Sequence, residues 1–251
     1  PVNRAASRCY TECPSRTRDT AEKFMHVRRH RPALVRMLLA WLCVAPPATA
    51  AGLLAQVVDD AGKPVADAVV YATLRGGKPP PRAAPRERLV MDQRNLDFMP
   101  YVLPVQAGTP VYFPNSDNLR HHVYSFSPAK KFELPLYKGT PATPVVFDKP
   151  GPVALGCNIH DWMIGYVYVL ETPYFGKTGD RGETRLANLP AGEVEVRVWH
   201  PRLRGAVDKT LRPVALAAGG ETRIAFTIGL NPERRRQRPV FSDDAASGYS
   251  Y

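Results

Sequence analysis

The chain has 251 residues, 26 of them Pro and 18 Gly, with a formal net charge of +11. That length holds one large domain or two small ones, and the Pro and Gly content, without a sustained helical period, excludes an all-α fold. The charge does not mark a nucleic-acid binder, because residues 1–50 carry nine of the 34 Lys/Arg against three of the 23 Asp/Glu; the rest nets only +5, interspersed, part of it in Arg234-Arg235-Arg236.

Residues 26–36 are basic, 37–45 form an apolar run of nine, and Ala48-Thr49-Ala50 supplies small residues at a cleavage position. Basic, apolar and small in that order is the pattern of a secretory signal peptide. The expected signal spans 25–50, and residues 1–24 read as sequence upstream of the natural start near Met25. Nine apolar residues are too few to cross a bilayer, so no stable membrane insertion is expected after cleavage; an uncleaved anchor is the alternative. Cleavage would remove Cys9, Cys13 and Cys43 and leave Cys157 alone in an oxidising compartment. A lone thiol there is either buried and inert or bound to a metal.

Short runs rich in Val, Tyr and Phe then alternate with turn clusters, which predicts an all-β chain. Residues 53–58 and 65–73, joined by Asp59-Asp60-Ala61-Gly62-Lys63-Pro64, read as a β-hairpin. A Pro- and Gly-rich connector covers 76–85. Strands are expected over 88–92, 101–106, 110–113 and 120–126, then a meander over 127–142. Two more follow at 145–147 and 153–156, and another at 164–170. The alternating Glu193-Val-Glu-Val-Arg-Val-Trp199 reads as a strand with one wet face, with short strands at 184–186, 211–216 and 222–230. His200, at a strand end, is expected at the surface. Residues 231–251 are polar and basic and read as a disordered tail.

Chemistry concentrates in Cys157-Asn158-Ile159-His160-Asp161-Trp162-Met163, between the strands 153–156 and 164–170. Thiol, imidazole and thioether recur every third residue on one short loop and can converge on one point. Together with one of His121 or His122 they form a ligand set of two imidazoles, a thiolate and a thioether. That combination suits an ion cycling between Cu(I), which favours sulfur, and Cu(II), which favours nitrogen. Successive strand residues face opposite ways, so only one of His121 and His122 reaches the ion. Alone, the His reads as surface or core, and Met163 as core filler.

The segment from about Arg88 to Glu171 resembles the cupredoxins, the small blue-copper proteins, and its C-x2-H-x2-M loop has the short spacing of their amicyanin-like, methylamine-utilisation-type members. Asn115, six residues before His121, and Val123, two after it, resemble the family's Asn…His-Asn-Val element. The resemblance implies one type 1 copper ion, with His121, Cys157, His160 and Met163 as ligands. It also implies that Asn115 ties the two ligand loops together. His122 stands where the family has Asn and remains the alternative ligand. The flanks, 53–73 and 178–230, resemble a carboxypeptidase regulatory-like, transthyretin-like (prealbumin-like) β-sandwich. The expected organisation is therefore a Greek-key cupredoxin sandwich over 87–170, inserted into a second small sandwich made of 51–86 and 171–230. The alternative adds 53–85 to the copper domain and leaves 172–230 as a separate module.

The function implied is that of a periplasmic one-electron carrier, not an enzyme. His160 would be the electron port within a patch of Ile159, Trp162 and Pro114, and a c-type cytochrome or dehydrogenase the partner. A copper chaperone or sensor, or a structural sandwich without a redox role, are the competing readings.

Overall fold

The computed structural model describes residues 50–77, 88–141 and 143–233. The expected signal peptide and upstream segment, most of the Pro-rich connector and most of the tail lie outside these residues. All the described residues fall within one compact unit. Among the described residues the structure is all-β apart from one 3-10 turn at Val207–Thr210. No helix there is long and apolar enough to cross a membrane.

Among the described residues seventeen strands follow in order. They are β1 (Ala51–Asp59), β2 (Val69–Leu74), β3 (Leu89–Val90), β4 (Asp92–Arg94), β5 (Asp97–Met99) and β6 (Val102–Gln106). Next come β7 (Thr109–Tyr112), β8 (His121–Ser127), β9 (Lys130–Tyr137), β10 (Val145–Phe147), β11 (Gly151–Gly156) and β12 (Ile164–Leu170). The last are β13 (Phe175–Lys177), β14 (Glu183–Leu189), β15 (Gly192–Trp199), β16 (Arg212–Leu216) and β17 (Glu221–Ile228).

The central segment builds a three-stranded sheet, β10-β7-β3, and a five-stranded sheet, β6-β12-β11-β8-β9. Alternate residues of both turn inward, as the two-residue strand period requires. Val111, Val123, Phe147, Val153, Leu155 and Val167 meet there with Phe98 and Phe113 in one core. The segments on either side build a second pair of sheets, β14-β1-β17 and β13-β2-β15-β16. These enclose a separate, largely aliphatic core that includes Leu53, Val57, Val70, Leu186, Val196 and Phe226.

One strand belongs to both environments. Val167 and Val169 of β12 face the central core, while Tyr168 and Leu170, on its other face, pack with Val69 of β2 and Trp199 of β15. The Tyr168 and Trp199 rings stack in parallel with centroids 4.2 Å apart. A strand buried on both faces reads as a continuous apolar run, and β12 does.

Three local expectations change. The hairpin over 53–73 does not form: β1 pairs with β14 and β17, whereas β2 pairs with β13 and β15 in the opposite sheet. The Asp59 carboxylate accepts the N–H groups of Ala61 and Lys63 and makes the turn, and residues 65–68 then carry the chain across the core, burying Val65 and Ala68. The meander contains β9, paired with β8 alone, and its edge position explains why Pro135 is tolerated. His200 is buried rather than exposed. Its Nδ1 accepts the Arg202 N–H, and burial, followed by the Arg202 charge, pushes its pKa down to about 4.

Candidate metal centre

Strands β11 and β12 pair antiparallel with Gly156 opposite Ile164, so residues 157–163 form a closed loop between neighbours. The Met163 N–H donates to the His160 carbonyl and tightens its turn. Strand β8 lies on the other side of β11, with Tyr124 opposite Gly156. The Tyr124 ring lies directly over Gly156, where a Cβ would come within 2.7 Å of it. His121, the first residue of β8, is thereby brought to the same end of the sheet as Cys157.

Three donor atoms converge there. His121 Nδ1 lies 3.2 Å from His160 Nδ1 and 4.0 Å from Cys157 Sγ, and His160 Nδ1 lies 3.7 Å from the same sulfur. A triangle with these sides has its centre about 2.1 Å from each corner, a distance suited to nitrogen and sulfur bonded to a metal ion (about 2.0–2.3 Å). His121 and Cys157 are buried and His160 is half-buried. Met163 is buried in the same core cluster as Cys157.

The hydrogen bonding around His121 leaves its Nδ1 free to act as a ligand. His121 Nε2 lies 2.8 Å from Asp117 Oδ2. A carboxylate can only accept, so Nε2 carries the proton in the neutral ring and Nδ1 keeps its lone pair for the cluster. Asp117 is itself anchored by the N–H groups of Asn95 (2.7 Å) and Leu96 (2.9 Å). Burial acts to raise its carboxyl, but the Leu96 N–H and His121 outweigh this and hold it below the usual carboxylate range. Burial opposes ionisation of Cys157 too, yet His121 and the backbone N–H groups of His122 and Ile159 bring the thiol below its ordinary value. His121 is raised: burial works against its protonation, but Cys157 and Asp117 prevail. His160 is lowered, by burial first and then by the His121 charge.

Asp117 escapes notice in the sequence because, within Asn115-Ser116-Asp117-Asn118, it reads as one more turn-capping residue. Its place four residues before His121 is the one signal available. Asn115 acts differently from the expectation that it would tie two loops. Its Oδ1 accepts the Asp117 N–H, and its Nδ2 donates to the carbonyls of Leu119 and Tyr137. These bonds fix the loop leading into β8 and hold Asp117 in place; they do not run to residues 157–163.

His122 turns the other way, as strand alternation requires. Its Nε2 meets Glu133 Oε1 at 2.9 Å, and it is not part of the three-residue cluster. Around His160, Ile159 is exposed and Trp162 and Pro114 are half-buried. The Trp162 ring sits 5.2 Å from the His160 ring, and its buried indole N–H has no partner among the described residues.

No protein-family profile matches the chain, and no curated protein matches it. Solved structures do align with it. A reduced Cu(I) form of an amicyanin mutant aligns at 23% identity over 35% of this chain and 86% of its own, with a TM-score of 0.31. A Cu-containing nitrite reductase from Thermus scotoductus aligns at 24% over 47% of this chain and 28% of its own, TM-score 0.33. A purple cupredoxin from Nitrosopumilus maritimus aligns at 22% over 33% of this chain and 98% of its own, TM-score 0.29. Each alignment takes in less than half of this chain, and the functional reading rests on the site itself.

Proposed function

We propose that this chain is a periplasmic single-copper protein that carries one electron at a time, in which His121, Cys157, His160 and Met163 would hold the ion. The observation that carries the reading is the convergence of three lone-pair donors, two imidazole Nδ1 atoms and one sulfur, at the end of a packed core. Without a cation, at most a shared proton lies between them, and burying such groups incompletely paired is costly. One ion satisfies all three. Copper suits the set because it accepts thiolate and imidazole in both oxidation states and moves a single electron between them.

The protein's own groups do the rest. Asp117 fixes the ring plane and tautomer of His121, and the N–H groups of His122 and Ile159 stabilise the Cys157 thiolate. The rigid frame of β8, β11 and β12 keeps the donors in place whatever the charge at the centre. His160 is the half-buried member, beside exposed Ile159, and is the proposed electron port toward a c-type cytochrome or dehydrogenase. Such partners use small interfaces. Export through the signal peptide at 25–50 is part of the same proposal.

The test is titration of the chain with Cu(II), followed by optical and EPR spectra. One equivalent produces intense visible absorption from thiolate-to-copper charge transfer, and Cys157→Ser removes it. Colour that survives Cys157→Ser would refute the ligand assignment, and a bound ion that cannot be reduced and reoxidised would refute the electron-transfer role.

A further inference from the structure

The second sandwich has an opening of its own. Strands β16 and β17 are edge strands of its two sheets. Between them lies a cavity of about 380 Å³, within the size range of small-molecule sites. Lys209 and Thr210 of the 3-10 turn line it together with Leu203, Ala206 and Phe226.

Its charge is one-sided. Arg204, Lys209 and Arg212 all line it, and no acidic residue does. Arg204 is held in place by an ion pair with Asp60. Its guanidinium also lies against Gly229, where a Cβ would come within 2.5 Å of Nη2, so Gly229 is the residue that admits it. The Arg212 guanidinium is drawn over the Phe226 ring, 5.8 Å from its centroid. Lys209 and Arg212 have no ion-pair partner among the described residues. Asp208, the acid next to Lys209, is engaged instead by Arg197.

We infer that this cavity is a binding site for a small, multiply charged oxyanion, an organic phosphate or a dicarboxylate. Arg212 supplies a planar two-toothed donor, Lys209 a mobile point charge, and the anchored Arg204 a fixed positive wall. A neutral or cationic ligand would leave the charges of Lys209 and Arg212 uncompensated. The inference does not depend on the metal reading, since the cavity belongs to the other sandwich.

The test is isothermal titration of the metal-free full chain at low ionic strength with pyrophosphate and, separately, succinate. The expected result is one saturable site for at least one of them, and the stronger binder identifies phosphate or carboxylate as the preferred group. Lys209→Glu and Arg212→Glu each weaken that site by about tenfold or more. Lys131→Glu, the same charge change on exposed β9 of the other sandwich, leaves it unchanged. All three positions are exposed, and an unchanged melting curve checks that each variant folds. Amide shifts in NMR should cluster at Lys209, Arg212 and Gly229. Absence of saturable binding for both anions overturns the inference. So does equal weakening by Lys131→Glu, which would mean attraction to net charge alone.

Discussion

The sandwich flanking the candidate metal centre buries an almost wholly aliphatic core, in which Phe226 is the one fully buried aromatic among the described residues. Its buried Thr178 is satisfied within the same core: the hydroxyl donates to the Val65 carbonyl and accepts the Ala68 N–H. The central sandwich is built on the same plan, with alternate strand residues turned inward, but its core carries sulfur and aromatic rings. It also buries the imidazole of His121 beside Cys157 at one end. Burial of aliphatic groups returns roughly 25 cal/mol per Å2, so the flanking core is explained by stability alone. The buried imidazole and thiol work against stability unless something pairs with them. The contrast locates the candidate site: one core is closed by packing, and the other gathers three potential metal ligands at one end.

The largest expected effect isolates that difference. Cys157→Ser should abolish the copper chromophore while leaving metal-free stability little changed, as read by visible absorption and thermal melts. An equivalent loss of stability without copper would make the cysteine a packing residue like those of the other core.

The next perturbation concerns the join between the two cores. Trp199→Ala removes the ring stacked on Tyr168 and should cost about 3–5 kcal/mol. Because β12 serves both cores, calorimetry should change from one transition to two, with copper raising only the one that belongs to the central sandwich.

His200 sharpens the comparison through pH. Its folded pKa, about 4, lies below the ordinary value of about 6.5, so the unfolded chain binds the extra proton between these limits. Stability is full above pH 6.5 and falls as the pH drops toward 4, by up to about 3 kcal/mol. His200→Asn keeps a side-chain acceptor for the Arg202 N–H and should flatten that slope in urea denaturation. The metal-free central sandwich should keep its own pH response.

Asp117→Asn should lower copper affinity by about ten- to a hundredfold and shift the reduction potential, without loss of the chromophore. The smallest effect is expected at the neighbouring histidine. His122→Gln, which removes the contact with Glu133, should leave both spectrum and affinity unchanged.

What could be read from the sequence follows from how local the signal is. The alternation of Glu193 to Trp199 specifies β15 nearly to the residue, because one wet and one dry face leave a two-residue period. The spacing of Cys157 and His160 works similarly, since a loop of seven residues between adjacent strands confines its side chains and brings these two together. Strand alternation also separates His121 from His122. Sheet partners are not local, and so residues 53–73 look like a hairpin while their strands join opposite sheets. Strand β9 hides behind Lys, Glu and Pro because an edge strand needs only one buried face. Asp117 and His200 were obscure for a related reason: a turn-capping carboxylate and a surface imidazole have the same one-letter signature as these two, and only the residues folded around them assign their roles.

X-ray absorption at the copper edge tests the central claim most directly. The protein loaded with one equivalent should give a short sulfur shell of one atom and a nitrogen shell of two imidazoles, with the sulfur shell lost in Cys157→Ser. A first shell of nitrogen and oxygen alone in the unsubstituted protein would contradict the shared site.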